Sequence, residues 1–121
     1  MEIIKALKES GLTGLGGAAF PTFLKWQMVK DSPDQKRFVI CNLSEGEPGV
    51  FKDEYLINNH LAELIAGIEL AANSVSAQKS YIFLNDKYKK YLKKIHRATL
   101  GKKIEVFIDT GRYLCGEETT L

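Results

Sequence analysis

FVICNLSEGEPG, residues 38–49, changes character at Asn42. Phe38-Val39-Ile40-Cys41 is an unbroken apolar run with polar residues on either side, which suits a strand covered on both faces, as in a parallel sheet. Asn42 to Gly49 is a polar loop too rich in acids and glycine to serve packing alone. In an open α/β sheet, ligands bind beyond the carboxyl ends of the strands, so a polar loop after a buried strand marks a candidate site.

Downstream of this junction, Leu61, Leu64, Ile65, Ile68 and Ala72 recur at helical spacing and predict an amphipathic helix over residues 60–74. Ser80 to Leu84 (SYIFL) and Ile104 to Ile108 (IEVFI) read as two further buried strands, the second preceded by a Gly101-Lys102-Lys103 turn. Between them, residues 87–98 set Tyr88, Tyr91, Leu92 and Ile95 against Lys87, Lys89, Lys90, Lys93 and Lys94. That pattern predicts a helix with a solvated lysine face, and Asp86 is placed to cap it. Strands at 38–42, 80–84 and 104–108 alternating with helices predict βαβ crossovers. The expected fold is α/β: a three-layer, Rossmann-like parallel sheet flanked by helices, in a single and incomplete domain over residues 1–121.

Upstream lies GLTGLGGAAFPTFLKW, residues 11–26. Ile3, Ile4 and Leu7 share one face of a short helix over 2–9, which Gly11 ends. The glycines at 14, 16 and 17 then make a bare loop, and Pro21 suits the first position of a helix over 21–29. Free N–H groups at such a helix start favour an anion, and Lys25, one turn inside, can lean back towards it. A tight glycine turn without a ligand is the competing reading on composition alone. The Walker A pattern is absent, because no Gly-Lys-Ser/Thr follows the loop. Gly14-x-Gly16-x-x-Ala19 matches the dinucleotide fingerprint nominally, but that loop must follow a strand, and here a helix precedes it.

A chain of 121 residues with 45% hydrophobic and 26% charged residues has the composition of one globular domain. Its formal net charge of +2 is too small to argue for nucleic acid. No apolar run approaches the roughly 20 residues that span a bilayer. Met-Glu-Ile-Ile-Lys opens the chain without a signal-peptide core, so a cytoplasmic location is expected, or the peripheral side of a membrane complex. Cys41 and Cys115 form no C-x-x-C, which leaves no iron–sulfur or zinc site to be built from this chain. Both are expected as free thiols near neighbouring strand ends. His60 and His96 stand alone and read as surface or capping residues.

The final residues, Tyr113-Leu114-Cys115 and then Gly116-Glu117-Glu118-Thr119-Thr120-Leu121, read as a short strand followed by the first turn of a helix. The chain is therefore expected to be part of something longer. Three polar, glycine-bearing segments follow or precede the strands, and Gly16, Gly17, Lys25, Asn42, Glu45 and Gly116 are expected to border one crevice. Asn42 carries a donor and an acceptor suited to a heterocycle edge. Glu45, Glu47, Glu117 and Glu118 are suited to accept from ribityl or ribose hydroxyls.

GLTGLGGAAFPTFLKW, CNLSEGEPGVFKDEYL and YLCGEETTL, in that order, resemble the flavin-binding subunit of respiratory complex I and its relatives in NAD-linked hydrogenase and formate dehydrogenase diaphorases. The resemblance covers nearly the whole chain. It implies an FMN-binding domain in which a hydride passes from NADH to flavin and electrons continue to iron–sulfur clusters. Carried over by position, Gly14, Gly16, Gly17 and Lys25 would lie in the nucleotide and flavin loop. Asn42, Glu45, Tyr113, Gly116, Glu117 and Glu118 would contact FMN, while Phe20 and Glu47 would face NADH. Neither a catalytic side chain nor a metal ligand is implied here; the 4Fe-4S ligands belong to the part of the family's sequence that lies beyond this chain. Other subunits of a complex I-like or diaphorase assembly are the implied partners. Leu15 replaces the family's arginine, and Ser44 replaces its aspartate. The Leu15-Gly16-Gly17-Ala18-Ala19 version is similar to a membrane-bound ferredoxin:NAD oxidoreductase component. Alternatives are a fragment of that protein, or a flavin-binding remnant without turnover. Alone, the chain is expected to bind FMN weakly and not to sustain NADH oxidation.

Overall fold

The computed structural model describes residues 2–12, 22–33, 36–44 and 52–110. Its elements run α1 (Glu2–Ser10), α2 (Thr22–Asp31), β1 (Phe38–Leu43), α3 (Lys52–Asn59), α4 (Leu61–Val75), β2 (Lys79–Asn85), a 3-10 helix (Asp86–Tyr91), α5 (Leu92–Ala98) and β3 (Ile104–Asp109). The strands form one sheet in the order β1-β2-β3, and both pairings are parallel. Ile40 lies beside Tyr81, Cys41 beside Ile82, and Ile82 beside Val106. The α/β class and the three parallel strands are thus as the sequence predicts, with each strand extended by one or two residues.

Period-two alternation sorts the sheet into two faces. Val39, Cys41 and Leu43, with Ser80, Ile82 and Leu84 and with Ile104, Val106 and Ile108, share the face that meets the helices. Ile57 of α3, Ile65 and Ile68 of α4, Tyr88 of the 3-10 helix and Ile95 of α5 close that core. Ile57, Ile82, Leu84 and Ile95 are completely buried. Helix α2 packs against both α1 and α4. Crossovers of one hand that advance in one direction deliver their helices to the same side, and the order β1-β2-β3 is such an advance.

The other face is a finding that the apolar run at 38–41 concealed. Phe38 and Ile40 are exposed there, at 47% and 37%, and so is Phe107. Edge and tilted ring pairs link Phe38 to Tyr81 at 6.0 Å, Tyr81 to Phe107 at 5.5 Å and Phe83 to Phe107 at 5.8 Å. Aromatic side chains serve a strand whether or not a helix covers them, because cross-strand pairs stabilise the sheet locally. An unbroken apolar run therefore does not by itself report cover on both faces.

Three local differences have physical causes. Helix α3 is additional to the predicted elements; Asp53 and Glu54 in its first turn complement its dipole, and only one turn of apolar spacing advertises it. The cap of the 3-10 helix is Asn85, whose Oδ1 accepts from the Lys87 N–H at 3.0 Å, whereas Asp86 lies 3.8 Å from the Lys89 ammonium. Basic residues 87–94 are exposed and Tyr88 and Ile95 are buried, as the lysine pattern requires, but the first half of that stretch is 3-10. Gly11 ends α1 with φ +71°, as expected, and donates to the Lys8 carbonyl. His60 stands just before α4 and its Nδ1 lies 2.9 Å from Glu63.

Candidate functional site at the strand ends

The carboxyl ends of the strands carry Asn42 and Ser44 on and after β1, Asn85 on β2 and Asp109 on β3. Asn85 and Asp109 lie side by side in register. Buried apolar strands thus run out into four polar residues along one edge of the sheet. Asn42 was legible in the sequence; Asn85 and Asp109 were not singled out, although the same signal, a polar residue that ends an apolar run, marks them.

Asn42 and Ser44 form a local turn. The Ser44 N–H donates to Asn42 Oδ1 at 3.0 Å, and the Ser44 hydroxyl donates to the same oxygen. A backbone N–H can only donate, so the atom it meets is the carboxamide oxygen. The NH2 group of the exposed Asn42 therefore faces away from this turn. Asn85 holds the next carbonyl: its Nδ2 donates to Ser44 O at 3.2 Å, while its Oδ1 takes the Lys87 N–H.

Behind this edge, Cys41 points into the core. Burial, reinforced by the carboxylate of the buried Asp53, pushes its thiol up from 9.0 to about 11. A thiol in that state is protonated and unreactive near neutral pH. Further along α3, Glu54 accepts from the Tyr91 hydroxyl at 2.5 Å and lies 3.5 Å from the Lys90 ammonium. The tyrosine, ahead of the lysines, holds that carboxyl below its ordinary range.

On either side of the glycine-rich segment, the Thr22 N–H donates to the Leu12 carbonyl at 3.0 Å, which ties the start of α2 to the turn that follows α1. A helix, α1, precedes this segment, where an ordinary dinucleotide loop would have a strand. Lys25 is exposed on α2. Of the expected site residues, Lys25 and Asn42 are described; Gly14, Gly16, Gly17, Phe20, Glu45, Glu47, Tyr113, Gly116, Glu117 and Glu118 lie outside the described residues, as does Cys115. Among the described residues no group of three His, Cys, Asp or Glu side chains could hold a metal, and no helix is long and apolar enough to cross a membrane. A groove of about 400 Å³ runs between α4 and α5, but it is lined by Leu61, Ala62, Ile65, Ala66 and Ala98 with the Glu69–Lys102 ion pair, and no strand-end residue reaches it.

A parallel α/β sheet whose strands end in polar residues is of the Rossmann-like class. Residues 7–121 match the family model described as the Nuo51 FMN-binding domain, and the chain belongs to that family. It is 41% identical, over 99% of its length, to an NADH-quinone oxidoreductase subunit of Buchnera aphidicola subsp. Schizaphis graminum, of which it covers 31%. It is 38% identical to the NADH-quinone oxidoreductase subunit of the same name in Escherichia coli, again covering 31% of that protein. The NAD-reducing hydrogenase HoxS subunit alpha of Cupriavidus necator is 33% identical and 23% covered. Among solved structures, an air-oxidised NAD+-reducing [NiFe]-hydrogenase superposes with a TM-score of 0.86 over 96% of this chain and 22% of the hydrogenase chain, at 38% identity. The chain spans about a third of the length of the NADH-quinone oxidoreductase relatives it matches.

Proposed function

We propose that this chain is the FMN-holding part of an NADH-oxidising flavoprotein and works with the further sequence its relatives possess. The carrying observation is the carboxyl edge of the sheet, where the Asn42 carboxamide is turned NH2-outward beside Asn85 and Asp109 in a chain of the FMN-binding family. The outward N–H donors of Asn42 fit a ligand with carbonyl or phosphate oxygens.

FMN, when bound, supplies the capacity to take a hydride from NADH and to release electrons singly. Asn42 donates to an acceptor oxygen of the flavin. Lys25 gives a point charge to the phosphate, with the backbone of Gly14, Gly16 and Gly17 leaving room for close approach. Glu45, Glu117 and Glu118 accept from ribityl hydroxyls, Tyr113 and Gly116 line the flavin, and Phe20 and Glu47 hold NADH. Residues 1–121 form part of one FMN/NADH domain. The 4Fe-4S acceptor and the partner subunits of a complex I-like or diaphorase assembly lie beyond this chain, which is placed on the peripheral side of such an assembly. Names of relatives from both kinds of assembly support the reading, because each joins NAD chemistry to a multi-subunit oxidoreductase.

The test is an anaerobic titration of the purified chain with FMN, followed by NADH. Saturable quenching of flavin fluorescence is expected, with no bleaching by NADH faster than that of free FMN. Absence of quenching at millimolar FMN sinks the proposal for this chain.

A further inference from the structure

We infer that Asn85 is a positioning residue for the flavin site, holding Ser44 so that Asn42 presents its NH2 group, not its oxygen, to an acceptor oxygen of the ligand. The inference rests on the flavin reading above and deepens it. Nothing in the sequence pattern marks Asn85 apart from its place at the end of β2, and no residue of the resemblance corresponds to this role.

A chain of donors links Asn85 to Asn42 through Ser44. Asn85 Nδ2 donates to the Ser44 carbonyl at 3.2 Å, across 41 residues of sequence, and ties the residue after β1 to the central strand. Ser44, so held, sends both its N–H and its hydroxyl to Asn42 Oδ1. A carboxamide oxygen has two lone pairs, and both are now engaged. The carboxamide can no longer flip to offer oxygen outward without stranding the Ser44 N–H. Asn42 is left with two N–H donors and no free acceptor, so it selects a carbonyl or phosphate oxygen over a ring N–H. At its other end, Asn85 Oδ1 accepts from Lys87 N–H at 3.0 Å, which fixes its own amide the same way round. One side chain thereby sets the polarity of another on the neighbouring strand.

A cap and a positioning role are separable. Asn85→Ser keeps an oxygen for the Lys87 N–H, since serine caps as well as asparagine, but it lacks the amide that reaches Ser44. Fluorescence titrations with FMN and with riboflavin are run on the parent 121-residue chain, Asn85→Ser, Asn42→Ala and the double variant, with thermal midpoints alongside. Asn42→Ala is expected to weaken FMN about tenfold, and Asn85→Ser about three- to tenfold at an unchanged midpoint. The double variant should be no weaker than Asn42→Ala alone, because Asn85 acts through Asn42. Loss shared by riboflavin assigns the acceptor to the ring; loss confined to FMN assigns it to the phosphate.

Asn85→Ser that binds FMN like the parent, or a double variant in which the two losses multiply, overturns the inference and leaves the flavin reading standing. A parent that binds no FMN overturns that reading and the ligand half of this one. Hydrogen exchange at the Ser44 amide then decides the relay itself: faster exchange in Asn85→Ser upholds it, and unchanged exchange overturns it.

Discussion

The Leu12 carbonyl and the Thr22 amide, ten residues apart in sequence, meet at 3.0 Å and tie the start of α2 to the turn that follows α1. Thr22 is the first residue of α2, where a backbone N–H has no partner within the helix. The donor that a helix start leaves over is spent here on that tie. Proline is tolerated in the first turn of a helix, so Thr22→Pro removes this bond with little harm to α2. The expected cost is about 1 kcal/mol in a urea melt, with a larger proportional loss in FMN affinity. Equal FMN affinity in parent and variant would separate this tie from the site.

The two faces of the sheet make opposite predictions. Ile82 is completely buried at the centre of the core. Ile82→Ala leaves a cavity and should cost about 2–5 kcal/mol. Phe107, 48% exposed on the aromatic face, keeps its ring pairs but little cover, and Phe107→Ser should cost under about 1.5 kcal/mol. Denaturant midpoints compare them directly. Similar losses would mean that further chain buries the aromatic face.

Ser76 closes α4 in the left-handed conformation, with φ 56° and ψ 46°. Glycine is the residue that adopts this conformation without cost, so Ser76→Gly should stabilise the protein by about 0.5–1 kcal/mol. A lower thermal midpoint in this variant would show that the serine side chain contributes more than its backbone costs.

The parallel sheet was legible because FVIC, SYIFL and IEVFI are short apolar runs separated by stretches of helical period, each long enough for the crossover that parallel strands need. Helix α3 was not, since KDEYLINN carries too little apolar repeat to declare itself; its acids and its burial of Ile57 become informative once α4 is in place. Asn42 was read correctly as a strand-end residue. Asn85 escaped because its role depends on Ser44, which the sequence places 41 positions away and only the register of β1 on β2 brings near. The aromatic face escaped for a related reason: Phe38, Tyr81 and Phe107 are neighbours across strands, and a linear reading assigns each to its own core.

Cys41 offers a measure of the core behind the site. Its thiol is raised from 9.0 to about 11, first by burial and then by Asp53. Between those values the unfolded chain gives up a proton that the folded chain keeps, so the unfolded state binds fewer protons and stability falls as pH rises from about 9 to 11. In a Cys115→Ser background, alkylation by iodoacetamide should rise with pH along a curve centred near 11. Asp53→Asn should move the curve to lower pH, though not back to 9.0, because burial is the larger cause. A curve centred at 9 in the folded parent would show that Cys41 is open to solvent.

Glu54 gives the reverse sign at acid pH. The Tyr91 hydroxyl, first among its influences, and the Lys90 and Lys87 ammonium groups hold its carboxyl below the ordinary range, and Asn58 donates to the same tyrosine oxygen at 3.2 Å. A carboxyl depressed on folding adds stability above its unfolded range, and that stability is lost as pH falls through the lowered folded value. The cluster joins α3 to the 3-10 helix, so it also fixes the element that follows Asn85. Tyr91→Phe removes the hydroxyl while keeping the ring that packs beside Tyr88. The expected result is a shallower acid limb in a plot of stability against pH, with the parent and variant converging below the carboxylate range. Lys90→Gln should flatten the limb less, because that ion pair is exposed and screened by salt. Equal acid limbs in parent and Tyr91→Phe, measured by urea midpoints from about pH 3 to 7, would show that the tyrosine bond does not govern Glu54.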